Sequence, residues 1–419
     1  MTSKAEARNT IEALRKGIPP RHGVERYAVG NEKLLAGIER MLEEDIADTG
    51  LIRFINGSWG AGKTHFFRQL CSLSYRKGCL VSNVELGKDG AVLNKFESIF
   101  TAIIRAITSK ADYVAGEDTD LFGGVLKEAL FALGGITGTD GETVPPDAVK
   151  TAKDKLMQCR GIDIDFKKMV AKYWETHLAD CDMSDKEQML GEILQWFTGE
   201  AGNTAAYRKK FDINKCVKRE NARELLRSLA VFIRLSGYRG LVILFDEAEA
   251  SYSAMRKTAL REAHNNLLHL INIIGELNGL FLIYATTPDF FNDAKHGIDA
   301  YGALAGRIGK PEDLPPRMFQ RVWNLDAVKT DLSDYQAAAV KVRDIYLDAY
   351  PEAGGIRLAS SAIEQRVREL NENHSDHAEC SFWRVAVQGV IRLLDNHAES
   401  VAIKPAPEEY QDIMESLRE

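Results

Sequence analysis

Paired cysteines, long apolar runs and an excess of positive charge are all missing from this 419-residue chain. Its six cysteines, Cys71, Cys79, Cys159, Cys181, Cys216 and Cys380, stand apart with no C-x-x-C pair. That spacing argues against structural zinc and for free thiols in a reducing compartment. No apolar run approaches the length that spans a bilayer, and the first residues carry no apolar signal core. A cytoplasmic protein without membrane contact is therefore expected. With 54 basic against 61 acidic side chains the formal charge is −7, which excludes a chain that is basic throughout. Contact with nucleic acid would need a local patch or a pore built from several copies. No internal repeat is visible. A hydrophobic content of 45% and a charged content of 27% are ordinary for a folded globular chain. The length suits two or three structural units.

What is present is Gly57-Ser58-Trp59-Gly60-Ala61-Gly62-Lys63-Thr64, with the spacing G-x-x-x-x-G-K-[ST]. It follows a short apolar run, Leu51 to Asn56, and opens a helical pattern marked by Phe66, Phe67, Leu70 and Leu73. Strand, glycine-rich turn and helix in that order make a phosphate site. The glycines let successive N–H groups curl toward phosphate oxygens. The helix that follows adds its N-terminal partial charge. Lys63 supplies a full charge for the outer phosphates, and the Thr64 hydroxyl can ligate Mg²⁺.

Along the chain, residues 5–17 read as a short helix ended by Gly17-Ile18-Pro19-Pro20, and Asn31 as the cap of a second helix. Cys79 to Leu86 has the β-branched content of a strand. The helix after it carries Phe96, Ile99, Phe100, Ile103, Ile104 and Ile107 on one apolar face. Residues 134–146 read as a long loop. Residues 88–219 are read as a helical insertion between two strands of a core sheet. Leu241 to Phe245 and Leu280 to Ala285 are apolar on both faces, as strands inside a covered parallel sheet are. Arg321 to Leu325 supplies a fifth strand. The rest is helical, with Ser333-x-x-Gln336 and Ser361-x-x-Glu364 fitting capping boxes and Ser381 capping the last long helix. The expected architecture is α/β: a parallel five-stranded P-loop sheet with helices on both faces and a C-terminal helical lid. The core takes residues 1–326 and the lid residues 327–419.

Asp246 ends the apolar strand 241–245, where a carboxylate can hold Mg²⁺ opposite Thr64. Glu247 beside it can orient and deprotonate an attacking water, which points to hydrolysis. The next strand ends at Thr286-Thr287, either of which can reach the terminal phosphate or the water; termination of a strand by propensity is the plainer alternative. Asn83 is a candidate restraint on Glu247. Arg384 falls in the first turn of its helix, where a cation is disfavoured unless an anion lies nearby. Arg307, Arg317 and Arg321 are candidates for a guanidinium offered to a neighbouring copy, with Arg307 preferred. Leu235 to Arg239 imitates a transporter-ATPase signature but reads as a turn. His374, His377, His264 and His269 lack the partners a metal site needs. The basic cluster Arg208-Lys209-Lys210, beside Tyr207 and Phe211, is an ordinary solvated face or a nucleic-acid contact.

Together these residues resemble the AAA+ branch of P-loop ATPases, nearest its origin-recognition/Cdc6-like group. Within it the chain looks like the BREX-system ATP-binding family, BrxC/BrxD-like and closer to the shorter BrxD type. The segments that carry the resemblance are Ile11 to Pro20 running on to Tyr27 to Gly30, Gly57 to Thr64, Gly240 to Glu249, Tyr301 to Arg307, and Phe382 to Asp395. The resemblance implies ATP and Mg²⁺ as ligands, with Tyr27 and Val29 near the adenine and Gly57 to His65 around the phosphates. It implies Thr287 and Arg384 as nucleotide sensors and Arg307 as the arginine finger. It further implies ATP-driven homo-oligomers and a multi-protein anti-phage system containing a methyltransferase and a phosphatase-like protein, with DNA as a candidate partner. A non-catalytic nucleotide switch and a replication or transposition loader are the competing expectations.

Overall fold

The computed structural model describes residues 4–87, 91–115, 121–136, 144–201, 204–246, 255–293, 295–351, 358–374 and 381–416. Its strands are β1 (Leu51–Asn56), β2 (Leu80–Glu85), β3 (Ile107–Thr108), β4 (Leu241–Asp246), β5 (Leu280–Thr286) and β6 (Val322–Asn324). They form one sheet in the order β3-β2-β4-β5-β1-β6, parallel throughout except where β3 pairs with β2. The sheet thus has six strands, and the expected five must be corrected. Ile107 matches the helical period of the preceding residues, yet the helix stops at Arg105. Ile107 instead pairs with Ser82 and is fully buried. The strand after β4 lies between β4 and β1.

Helices α1 (Lys4–Arg15), α2 (Glu32–Arg40) and α3 (Lys63–Arg76) surround β1 in sequence. Between β2 and β4 come α4 (Phe96–Arg105), α5 (Lys110–Ala115), α6 (Leu121–Gly134), α7 (Pro146–Gln158), α8 (Ile164–Leu178), α9 (Met183–Phe197), α10 (Thr204–Phe211) and α11 (Ala222–Leu235). After β4 come α12 (Lys257–Gly275), α13 (Pro288–Asn292) and α14 (Gly302–Ile308). The chain then runs through α15 (Leu332–Ala349), α16 (Ser360–Asn371), α17 (Phe382–Ala398) and α18 (Ala406–Ser416). Residues 137–143, inside the expected long loop, lie outside the described residues. Two helix starts differ from the sequence reading. The capping box of α15 is Asp331 with Asp334, not Ser333 with Gln336. Ala359 precedes α16, so Ser361 and Glu364 make no box. An aspartate at the N-cap accepts from the orphan amides as well as serine does, and here it comes two residues sooner.

Strand alternation divides the core. Leu241, Ile243 and Phe245 of β4 join one apolar cluster with Leu280, Leu282 and Tyr284 of β5. That cluster runs without a break into the 96–235 helices, where Trp174, Trp196 and Phe166 are fully buried. Val242 and Leu244 point the other way and pack with α2, α3 and Trp323. A third cluster is separate. It joins Ala7, Ile11 and Leu14 of α1, with Val24 and Tyr27, to the apolar faces of α15 to α18. The first helix of the chain is therefore packed into the last helical unit. Arg15 reinforces the join, donating from Nε and Nη2 to the two oxygens of Asp395 at 3.1 and 2.8 Å. Tyr346 donates to the same carboxylate at 2.8 Å. Cys71, Cys79, Cys159, Cys181 and Cys216 are free thiols. Among the described residues no helix is long and apolar enough to cross a membrane.

Burial and ion pairing predict different costs here. Ile11 is fully buried, so Ile11→Ala should lower the free energy of unfolding by about 2–4 kcal/mol. The Arg15–Asp395 pair is about one-third exposed on both sides, so Arg15→Ala should cost no more than about 1 kcal/mol. Denaturant titration of both variants checks the order. A larger loss for Arg15→Ala would show that the ion pair, not the apolar face, holds α1.

Candidate functional site

The loop between β1 and α3 turns on two glycines. Gly60 and Gly62 have φ of 82° and 89°, in the left-handed region that costs other residues strain. At Gly60 a side chain would also meet Ser381, the residue that precedes α17, since a Cβ there would lie 3.3 Å from Cβ of Ser381. The loop thus touches the C-terminal helical unit. Lys63, the first residue of α3, is buried, and its Nζ donates to the carbonyls of Gly57 at 2.7 Å and Ser58 at 3.2 Å. The next residue, Thr64, donates its hydroxyl to Oδ2 of Asp246 at 3.1 Å. The first amides of α3 have no acceptor within the helix and carry its positive end. An anion is the natural partner for them. The Thr64 hydroxyl and the Asp246 carboxylate are hard oxygen donors of the kind Mg²⁺ takes alongside water, so this pair fits that ion.

Beside the loop lies a cavity of about 390 Å³, a volume typical of small-molecule sites. Trp59 to His65 and Asp246 form its polar, phosphate-type wall. Leu14, Ile18, Tyr27, Val29, Leu325, Val328 and Val387 supply apolar lining. Thr330, Asp334 and Arg384 add polar groups. Tyr27 is almost wholly buried, and burial pushes its hydroxyl above the usual range. Its ring lies 5.3 Å from that of His65. Burial pushes His65 down to about 4, so this imidazole is neutral at ordinary pH. The loop 27–31 is held from behind by Lys341, whose Nζ donates to the carbonyl of Ala28 at 2.9 Å. An apolar slot for a flat ring and a cationic cradle for phosphates thus meet in one space.

The family model described as "BREX system ATP-binding protein BrxC/D" matches residues 2–412. The chain belongs to this family. No curated protein and no solved structure matches it.

For this BrxC/BrxD chain, the structure brings Tyr27, Val29, Trp59, Gly60, Ala61, Gly62, Lys63, Thr64, His65, Asp246 and Arg384 around one cavity. Gly57 and Ser58, the first two residues of the loop, do not line the cavity. Arg384 lies in the first turn of α17, where its amide donates to the Ser381 carbonyl at 3.1 Å. Other expected residues are elsewhere. Thr286 is fully buried and donates its hydroxyl to the Ile55 carbonyl at 3.0 Å, so that side chain ties β5 to β1. Thr287 precedes α13 and does not line the cavity. Arg307 is exposed on α14 and donates to the Asn272 side chain at 2.8 Å, away from this cavity. Glu247 and His377 lie outside the described residues. Among the described residues there is no group of three or more His, Cys, Asp or Glu side chains that could hold a metal ion.

Sequence reasoning missed Thr330, Asp334 and Trp383, all of which line the cavity. The signal for Asp334 was the Asp331-x-x-Asp334 box, since it places that carboxylate at the start of α15 beside the strand-to-helix connector. Nothing local marks Trp383, which is positioned by its ring contact with Tyr335 at 4.5 Å.

The neutral histidines give a pH signature. His65 and His264 are both pushed down to about 4 by burial, against about 6.5 in an unfolded chain. As pH falls through this window the unfolded state takes up protons that the folded state refuses, so stability falls. His65→Phe should therefore lose less stability than the parent between about pH 6.5 and 4. Denaturant midpoints across that range measure the difference. Parallel curves would show that His65 is not held neutral.

Proposed function

We propose that this BrxC/BrxD-family chain binds ATP with Mg²⁺ in the cavity and hydrolyses it. The observation that carries the reading is the convergence of Lys63, the Thr64–Asp246 pair and Arg384 on a single space. Lys63 and the amides of residues 60–65 hold phosphates, and Lys63 leaves its carbonyl partners to do so. Thr64 and Asp246 hold the metal, which neutralises charge on the phosphates when bound. Tyr27 and Val29 flank the base. Glu247, adjacent in sequence to Asp246, orients the attacking water and takes its proton. Arg384 answers the terminal phosphate from the helical lid, 327–419, into which α1 of the core segment 1–326 is also packed, and Thr287 does so from the end of β5.

The exposure of Arg307 suits a guanidinium used by a neighbouring copy, so assembly with nucleotide is part of the proposal. The work done is remodelling or signalling within a multi-protein anti-phage system, alongside a methyltransferase and a phosphatase-like protein, on DNA. Kinship nearer to BrxD and to the origin-recognition/Cdc6-like group rests on the sequence segments quoted above. Residues 88–219 act as a helical insertion that shares the sheet's core.

Glu247→Gln should keep ATP affinity within a few-fold while slowing turnover by about 100-fold or more. Isothermal titration and phosphate release measure the two. Undiminished hydrolysis would remove Glu247 from the mechanism, and absence of turnover in the parent would favour a non-catalytic assembly switch.

Sizing the protein by light scattering, with and without a non-hydrolysable ATP analogue, tests assembly. A larger species with the analogue is expected, with Arg307→Ala retaining it but losing most turnover. A monomer in every condition would exclude the trans-acting arginine.

A further inference from the structure

The loop 57–62 is gripped from behind by a carboxylate that does not touch the cavity. Asp326, just past β6, accepts the Ser58 amide on both oxygens at 3.0 and 2.9 Å. It also accepts the Ser58 hydroxyl at 2.9 Å. The remaining polar group of Ser58 is engaged too, since its carbonyl accepts the Ala61 amide at 3.1 Å and Lys63 Nζ at 3.2 Å. Neither Ser58 nor Asp326 lines the cavity.

The grip continues the sheet. β6 pairs in parallel with β1, with Asn324 opposite Asn56. The Asn56 side-chain amide donates to Asn324 Oδ1 at 3.0 Å. Two residues beyond each of these asparagines, Asp326 meets Ser58. The opposite flank is held by β5, where the Gly57 amide donates to the Thr286 carbonyl at 3.2 Å. The first two amides of the loop are thereby turned outward, one to each neighbouring strand.

A fixed anion beside a phosphate-binding loop is electrostatically unfavourable for the ligand unless it serves the loop's shape. We propose that Asp326 is a positioning residue for phosphate binding: it withholds the Ser58 amide from the ligand and sets the curl that turns the later amides inward. Ordering the loop before ligand arrives spares that entropy at binding. The inference rests on the nucleotide reading of the cavity and goes beyond it, since Asp326 is 268 residues from Ser58 in sequence and belongs to no phosphate motif.

The test compares the full-length parent with Asp326→Ala, Asp326→Asn and Lys63→Ala, by titrating Mg²⁺ with a non-hydrolysable ATP analogue or with ADP. Asp326→Ala should weaken both nucleotides about tenfold, the loss expected when charge-assisted hydrogen bonds go. Asp326→Asn keeps an acceptor and should return affinity to within about threefold of the parent. Melting temperatures of both variants should stay within about 4 °C of the parent. Parent-like affinity in Asp326→Ala would overturn the proposal. So would equal loss in Ala and Asn accompanied by equal destabilisation, which would mark a merely structural contact. A parent that binds no nucleotide, indistinguishable from Lys63→Ala, would overturn the nucleotide reading itself and this inference with it.

Discussion

A hydrogen bond between Thr64 and Asp246, 182 residues apart, can form only if β4 ends level with the start of α3. In the sheet, β5 lies between β4 and β1, so the ends of those two strands stand one strand apart. The same requirement constrains everything inserted between α3 and β4. The 96–235 helices can vary in number and length provided they return the chain to β4 in register with β2. They do so by sharing one continuous apolar core with the sheet rather than by forming a separate ball.

The second constraint is the way the ends of the chain meet. α1 packs with α15 to α18, so two connectors join that helical unit to the sheet: residues 16–31 and residues 325–331. Both connectors line the cavity. A ligand there would touch the sheet, the helical unit and both joints at once. Whatever occupies the cavity therefore contacts both bodies, and the loop itself closely approaches Ser381 of the helical unit at Gly60. Inside the helical unit, the buried Arg366–Glu409 pair and the fully buried Val367, Leu370 and Ile413 hold the helices together.

Much of this was legible where the chemistry is local. Gly57 to Thr64 declared its turn because glycine and lysine at that spacing have few other uses, and β4 and β5 declared their burial by being apolar on both faces. Ile107 misled because one more apolar residue at helical spacing looks the same whether the helix continues or not. Serine and aspartate satisfy the same amides, so sequence spacing alone does not distinguish a Ser333 box from the Asp331–Asp334 box that forms. The larger omissions are long-range. No period in α1 tells that its apolar face belongs with helices more than 300 positions away. Asp326 is one aspartate in a short turn, and only the pairing of β6 with β1 brings it to Ser58. Thr286 ends a strand where a ligand contact is expected from sequence, but its hydroxyl is taken by the Ile55 carbonyl of β1.

The proposed function requires one ligand to bridge the sheet, both connectors and α17. Hydrogen exchange read by mass spectrometry, with and without a Mg²⁺-bound non-hydrolysable ATP analogue, checks this. Slowed exchange is expected together in residues 27–31, 59–66, 325–334 and 381–387. Protection confined to residues 59–66, with the connectors and α17 unchanged, would contradict it.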